Sequence, residues 1–574
     1  MSATRAARAA GVVAAALALT ALYAGLRFGA LVAGGADSYG YVSQAGLWRQ
    51  GLPIVQQDIV RGSPWPFAAD TWSPLGYRPS PKQRGAIVPL YAPGLPLLMA
   101  LFQAVAGYCG AFLVVPLCGA LTIWLTYALG RRAFGAPGIS LWGAALVATS
   151  PVFLYQLMNA MSDVPVTAAW TLALVLAVSG RPLASGLAMS VAIAIRPNLV
   201  VLAPVVMTWL AMSGGKVRSQ KSEVRSQKSR FFGGVRTSDF RLQTSDFRLA
   251  TSGWWVFQQP NVAWFSLGVA PAILGIAWLN GRLYESPLTS GYGATGDYYS
   301  LAFLSTNARQ FATWMAEVET PAVALAAMYF VAPRVFPPPR IRFARLLLGG
   351  SLALVIASYV FYRPFDTWWY LRFLLPMWPV MMLLTAAALD ALARRWLRPI
   401  SPIAIAAAAA FLAWHGVHTA ARRSAFDLGR GERRYIDVAR FAASHTDADA
   451  VILGVQHTGS LRIYANRLTL RYDLLEPAWL DRTVDYLQSI GRRPYFVLDG
   501  AEVDEFKRRF GSMNRTGTLD WPPVATLGSI VSVYDPLDRA GGTSSSPLAI
   551  GRTRAPRGGF CDPPQDWPPP LRMK

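Results

Sequence analysis

Apolar runs long enough to cross a bilayer recur through the first 420 residues, separated by loops rich in arginine. A helix needs about 20 apolar residues to span the hydrocarbon core. The run from Ala9 to Ala33 follows Arg5 and Arg8, and basic flanks mark the cytoplasmic side, so this span starts inside. It is too long for a signal-peptide core and lacks a convincing cleavage site, so it reads as an uncleaved first span. Ten further runs follow, near 109–129, 138–157, 165–179, 183–196, 198–212, 261–280, 321–333, 345–361, 373–392 and 401–419. The stretch 89–106 is apolar but interrupted by Pro93 and Pro96, which predicts a re-entrant or surface-lying helix. Eleven spans starting inside bring the basic clusters at 131–132, 214–253, 334–345 and 394–398 to the cytoplasmic side and the C-terminal part outside.

Between the runs lie two long outer loops, 34–88 (extending with the proline-punctuated stretch to 108) and 281–320. The first carries Trp48, Trp65, Trp72 and Tyr77, residue types that favour the membrane interface. Residues 214–253 hold two short exact repeats (Val217–Ser222 again at Val224–Ser229, Thr237–Leu242 again at Thr244–Leu249), are poor in apolar residues and rich in charge, and are expected to be a disordered basic cytoplasmic insert. From 431 to 536 the period changes. Short apolar runs at Ala450–Val455, Leu468–Tyr472, Pro494–Leu498 and Ile530–Tyr534 alternate with helical patterns, which predicts a small soluble α/β domain. The Gly-, Ser-, Pro- and Arg-rich tail, 537–574, is expected to be disordered. The fold class is therefore mainly α: a polytopic membrane helix bundle over residues 1–420 with a C-terminal extracytoplasmic α/β domain.

Composition agrees. Only 15% of the 574 residues are charged, against about a quarter in soluble domains. The net charge of +23 would suggest nucleic acid in a soluble protein, but here cytoplasmic loop arginines account for it and no recognition motif accompanies it. The cysteines form neither a disulfide framework nor a zinc pattern, with Cys109 and Cys118 on opposite faces of one predicted helix. The four histidines have no matching carboxylate or cysteine spacing, so no metal ligands are assigned. A glycine-rich phosphate cradle is also missing.

Six stretches, in order, carry a resemblance. They are Ala36-Asp37-Ser38-Tyr39; Tyr91-Ala92-Pro93-Gly94-Leu95-Pro96-Leu97-Leu98; Gly130-Arg131-Arg132-Ala133-Phe134-Gly135; Met161-Ser162-Asp163-Val164-Pro165; Gly186-Leu187-Ala188 through Arg196-Pro197; and Leu371-Arg372-Phe373-Leu374-Leu375-Pro376. Together they resemble the GT-C superfamily of membrane glycosyltransferases, of the protein O-mannosyltransferase, aminoarabinose-transferase and RgtA/B/C/D-like kind. The resemblance implies transfer of a sugar from a polyprenyl-phosphate donor, on the outer face of the plasma (inner) membrane, to an envelope glycan, lipid or protein. Many relatives have two adjacent acidic residues where this chain has Asp37-Ser38, so a divalent metal stays open and no cofactor is certain.

Such a reaction needs a base for the acceptor hydroxyl and cations for the leaving phosphate. Asp37 is the candidate base, with burial expected to raise its pKa, and Asp163 the second catalytic carboxylate; both could instead be helix caps. Arg372 and Arg196 are candidate phosphate clamps, because the planar guanidinium donates two bonds to phosphate oxygens; snorkelling is their ordinary alternative. Lys82 and Arg84 are further candidate phosphate partners. Trp368, Trp369 and Tyr370 are read as an aromatic belt. The rival reading is a transporter or lipid flippase, but the halves of the chain do not match and its acidic residues sit at outer edges.

Overall fold

A computed structural model describes residues 3–213, 256, 259–293, 296, 298–332, 334, 336, 339–528, 530–541, 548–550, 561–564 and 572–573. The basic insert 214–253 lies outside the described residues.

Five helices are long and apolar enough to cross a membrane: Arg5–Phe28, Tyr108–Ala133, Pro260–Leu283, Trp368–Trp396 and Ser401–Arg422. The pair Pro137–Thr149 and Pro151–Leu157, bent by 58°, makes a sixth if taken as one span. Shorter apolar helices include Gly94–Ala106, Asp163–Val178, Pro182–Ile195, Pro321–Val331 and Arg345–Val360. Among the described residues, five or six of the expected eleven spans are helices of crossing length, and shorter apolar helices stand at the positions of the others. Local chemistry shortens them: Gly180 and Pro182 follow the helix Asp163–Val178, and Pro197 lies just beyond Ile195. Leu19, Tyr23, Trp264, Trp278, Ile403 and Trp414 stand exposed on the long helices, as lipid-facing side chains do. The chain is an integral, multi-pass membrane protein.

Where a proline breaks a helix, a side chain takes over the stranded backbone groups. Pro271 sits inside the helix Pro260–Leu283. There Ser190 Oγ, from the neighbouring helix, donates to the Val269 carbonyl at 3.1 Å and accepts from Ala272 N at 3.0 Å. At the 58° bend, Ser150 Oγ accepts from Phe153 N at 3.2 Å, and Pro151 occupies the first turn, where its missing N–H costs nothing.

Above the bundle lies a layer built from two distant parts of the chain. The first loop contributes β1 (Val55–Gln57), β2 (Tyr77–Pro79) and β3 (Ala86–Pro89). The C-terminal part contributes β4 (Val451–Gly454), β5 (Leu468–Arg471), β6 (Pro494–Asp499), β7 (Ala525–Leu527), β8 (Val531–Tyr534), β9 (Leu548–Ile550) and β10 (Arg572–Met573). Six of these form one mixed sheet in the order β5-β4-β6-β8-β7-β9. β4 runs parallel to both β5 and β6, with Leu453 opposite Leu470 and Phe496.

Two expectations change here. Trp65 and Trp72 are not at the membrane interface. Both are buried in one core with Leu453, Leu470, Tyr472 and Phe496. Their polar edges are satisfied there: Trp65 Nε1 donates to Thr71 Oγ1 and Trp72 Nε1 to Ser63 Oγ. The described parts of the tail are also ordered. β9 pairs with β7, β10 pairs with β1, and Cys561 forms a disulfide with Cys109 at the head of the second long helix. Composition signals disorder from the lack of an apolar core, but a covalent link and strand pairing hold a tail without one.

Candidate active site

The helix α2 (Asp37–Trp48) begins at Asp37, on the side of the bundle that the α/β layer covers. The Asp37 side chain is not used as a cap. Its Oδ1 accepts from Tyr91 Oη at 2.6 Å and its Oδ2 from Arg372 Nη1 at 2.9 Å. Tyr91 reaches it across Gly40, where a Cβ would stand 2.2 Å from the tyrosine ring. Arg372 comes from the 3₁₀ segment Trp368–Met377 that opens the fourth long helix. Its guanidinium lies over the Tyr370 and Phe373 rings, 5.3 Å from each centroid.

Asp163 stands in the first turn of Asp163–Val178 and is paired with Arg196. Pro197 is the reason Arg196 is available. The residue before a proline avoids the helical region, and Arg196 is extended, with φ −139 and ψ 95, which turns it out of its helix. Arg196 Nε donates to Ser162 Oγ at 3.4 Å, and Tyr41 Oη donates to the same oxygen at 3.2 Å. Arg372 Nη1 also touches Met161 Sδ, and Arg196 shares the Phe373 ring with Arg372. Four charged residues from four segments therefore converge around Met161, Ser162 and Phe373.

The two pairs differ in access. The side chains of Asp37 and Arg372 keep 23% and 15% exposure, whereas Asp163 keeps 1%. One oxygen, Asp163 Oδ2, and one nitrogen, Arg196 Nη1, are buried without a hydrogen-bond partner among the described residues. Burial alone would raise the Asp37 pKa, but Arg372, Tyr91 and then Arg196 outweigh it and hold the carboxyl below its ordinary value. The expected upward shift is thus reversed, because a guanidinium fills the place assigned to solvent-poor surroundings. Tyr91 is pushed well above its ordinary pKa by burial and by Asp37, so its hydroxyl stays a donor.

Lys82 and Arg84 do not join this cluster. Both are exposed at the tip of the β2–β3 hairpin, and Lys82 donates to the Gly281 carbonyl. A hairpin tip projects away from the sheet that carries it, which the linear spacing conceals. Trp368 and Trp369 pack on Tyr155, at centroid distances of 4.9 and 6.0 Å, and Tyr370 stacks on Phe365 at 3.9 Å. Among the described residues no group of three or more His, Cys, Asp or Glu could hold a metal ion. Tyr91, Ser162 and Phe373 were not singled out in the sequence as site residues, although each adjoins or lies within a stretch that carries the resemblance.

Comparisons with known proteins follow the same line. The family model described as dolichyl-phosphate-mannose-protein mannosyltransferase matches residues 89–225. Among solved structures, the chain is similar to ArnT from Cupriavidus metallidurans bound to undecaprenyl phosphate, at 12% identity and TM-score 0.53, over 92% of this chain and 97% of that one. The apo state of the same protein matches at 13% identity and TM-score 0.53, with the same coverage. An oligosaccharyltransferase from Archaeoglobus fulgidus, tethered with an acceptor peptide, matches at 12% identity and TM-score 0.47, over 88% of this chain and 72% of that one. No curated protein sequence matches. The chain therefore shares the fold of that ArnT structure over nearly the whole length of both chains.

Proposed function

From that fold, we propose that the chain is a membrane glycosyltransferase that moves a sugar from a polyprenyl-phosphate donor to an acceptor hydroxyl, with inversion at the anomeric carbon. The observation that carries the reading is the convergence of Asp37 and Arg372 with Asp163 and Arg196 in one cleft. The ArnT structure similar to this chain holds undecaprenyl phosphate, which favours a lipid phosphate as the donor's carrier.

The residues divide the work by access. Asp37, the more reachable carboxylate, takes the proton of the acceptor hydroxyl. The hydroxyl oxygen bonds to the anomeric carbon as the bond from that carbon to the phosphate oxygen breaks. The electron pair leaves with the polyprenyl phosphate, and Arg372 and Arg196 stabilise its growing charge. Asp163, sealed from solvent, orients Arg196 and leaves Nη1 free for a phosphate oxygen. Arg372 links the two halves of the reaction. It is paired with Asp37 here, and a donor phosphate competes for the same guanidinium. Arrival of the donor weakens that pair and lets burial raise Asp37 toward a useful base strength. The arginines supply the positive charge, so this reading needs no divalent metal.

Sidedness also belongs to the proposal. A disulfide joins Cys109 to Cys561, and disulfides persist in oxidising compartments. Cys109 lies at the end of its helix nearest the α/β layer, which favours an extracytoplasmic position for that layer and the charged cluster beneath it. The test is a transfer assay with radiolabelled polyprenyl-phosphate sugars and native envelope acceptors. The expected result is label on the acceptor, with inverted configuration and equimolar polyprenyl phosphate released. Label moved across the membrane without release would favour the transporter, and retained configuration would overturn single displacement.

A further inference from the structure

In the six-stranded sheet, β4 lies between β5 and β6, so the chain winds to one side of β4 and then to the other. Sheets that reverse in this way open a crevice at the carboxyl ends of the two strands beside the reversal, where ligands bind. Here those ends belong to β4 and β6. Gln456 and His457 follow the first, and Asp499 closes the second.

The crevice holds polar groups that the fold does not use up. His457 is 0% exposed, and among the described residues neither ring nitrogen has a hydrogen-bond partner; Asp499 Oδ2 stands 3.7 Å from Nε2. Asp499 also stands at the N-cap of the helix Gly500–Phe510, in a capping box with Glu502, and its Oδ1 is buried without a partner among the described residues. Buried polar atoms of this kind are costly to leave unpaired. Arg434 reaches in from the preceding helix. Its Nε pairs with Asp499 Oδ2 at 3.4 Å, its Nη1 donates to Glu432 Oε1 at 3.1 Å, and its Nη2 donates to Tyr435 Oη at 3.1 Å. Glu432 and Arg434 keep 23% and 32% side-chain exposure, so the group is open on one side.

The group adjoins the turn that precedes Asp37. The Tyr435 ring packs onto Gly34, three residues before Asp37, where a Cβ would stand 2.2 Å away. Glu432 and Arg372 both act electrostatically on Tyr155, whose ring meets Trp368 and Trp369. The ends of β4 and β6 therefore neighbour the turn that leads into Asp37, where Gly35 meets Tyr435 and Gln456.

We infer that the crevice at the ends of β4 and β6 is the acceptor subsite and that it takes the hydroxyl-rich, carbohydrate part of an acceptor. Carboxylates at Glu432 and Asp499 accept from sugar hydroxyls, Arg434 donates to ring or glycosidic oxygens, and the aromatic rings offer an apolar face. An anionic acceptor group is disfavoured, since two carboxylates face one guanidinium. The inference rests on the transferase reading but is tested by binding alone. The full chain in nanodiscs is examined by saturation-transfer NMR with neutral methyl hexosides as probes, and separately for undecaprenyl phosphate binding. The expected result is saturation of at least one hexoside by the unmodified protein. That signal falls at least fivefold in Glu432→Gln and in Arg434→Met, while undecaprenyl phosphate affinity holds within twofold. Absence of saturation in the unmodified protein overturns the subsite, as does an undiminished signal in a folded Glu432→Gln. Loss of undecaprenyl phosphate binding by the unmodified protein would instead sink the donor assignment and leave the hexoside result to stand or fall by itself.

Discussion

Asp37 holds two partners before any substrate arrives, a tyrosine hydroxyl and a guanidinium. A carboxylate in that state is a weak base, and this sets a pH signature. On the proposed reaction, donor kcat/KM reports groups in the free protein, where Arg372 holds Asp37 below its ordinary pKa, and kcat reports the donor complex, in which the proposed phosphate contact draws on Arg372. Both rates fall as acid protonates Asp37. The acid limb of kcat is expected at higher pH than that of the donor kcat/KM, measured by rate profiles in one buffer series. Coincident limbs would mean that Arg372 stays on Asp37 throughout. At this scale the sequence singled out Asp37, Asp163, Arg196 and Arg372, which the fold brings together, because each lies at an end of an apolar run in a stretch that carries the resemblance. Pairing was not readable: which arginine meets which carboxylate depends on helix packing, and so did the direction of the Asp37 shift. Lys82 and Arg84 were misplaced for the same reason, since position in a loop does not reveal which way a hairpin tip points.

At the scale of elements, prolines decide much of the architecture. Pro197 turns Arg196 into the cleft, and Pro151 starts a new helix after a 58° bend. Glu319 pins that bend. Its Oε1 accepts from Ser150 Oγ at 2.5 Å, Val152 N at 3.2 Å and Trp378 Nε1 at 3.3 Å. It also lines a cavity of about 20 Å³, room for about one water. Glu319→Leu takes the acceptor from Ser150 Oγ and Val152 N, each costing about 1–3 kcal/mol, while Trp378 Nε1 keeps Ser150 Oγ at 3.0 Å; Glu319→Gln keeps an acceptor in place. Thermal unfolding in detergent is expected to show a clear loss for Leu and a much smaller one for Gln; equal losses would contradict the pin. The long apolar helices and the strands near 451, 468, 494 and 531 were legible from period and length. Helix length was less legible, because proline-bounded helices of 14–16 residues have the apolar composition of a span but not its usual length.

At the scale of the molecule, the first loop and the C-terminal strands make one layer over the cleft. Trp65 and Trp72 lock them into a shared core, and Arg462 Nη2 donates to the Trp72 carbonyl at 2.6 Å. The Cys109–Cys561 disulfide closes a separation of 452 residues. Cys561→Ser is expected to lower stability by about 2–5 kcal/mol and to free the tail for proteolysis. Limited digestion, with and without reductant, checks this; identical patterns would show that the link holds nothing. None of this layer's assembly was visible in the sequence, since partners hundreds of residues apart leave no local pattern. The account stands most directly on Asp37. Undecaprenyl phosphate binding and sugar transfer are measured side by side for the native chain and Asp37→Asn. The account predicts retained binding with transfer reduced at least a hundredfold, within the range of about 10²–10⁴ for a general base; equal transfer by both proteins would contradict it.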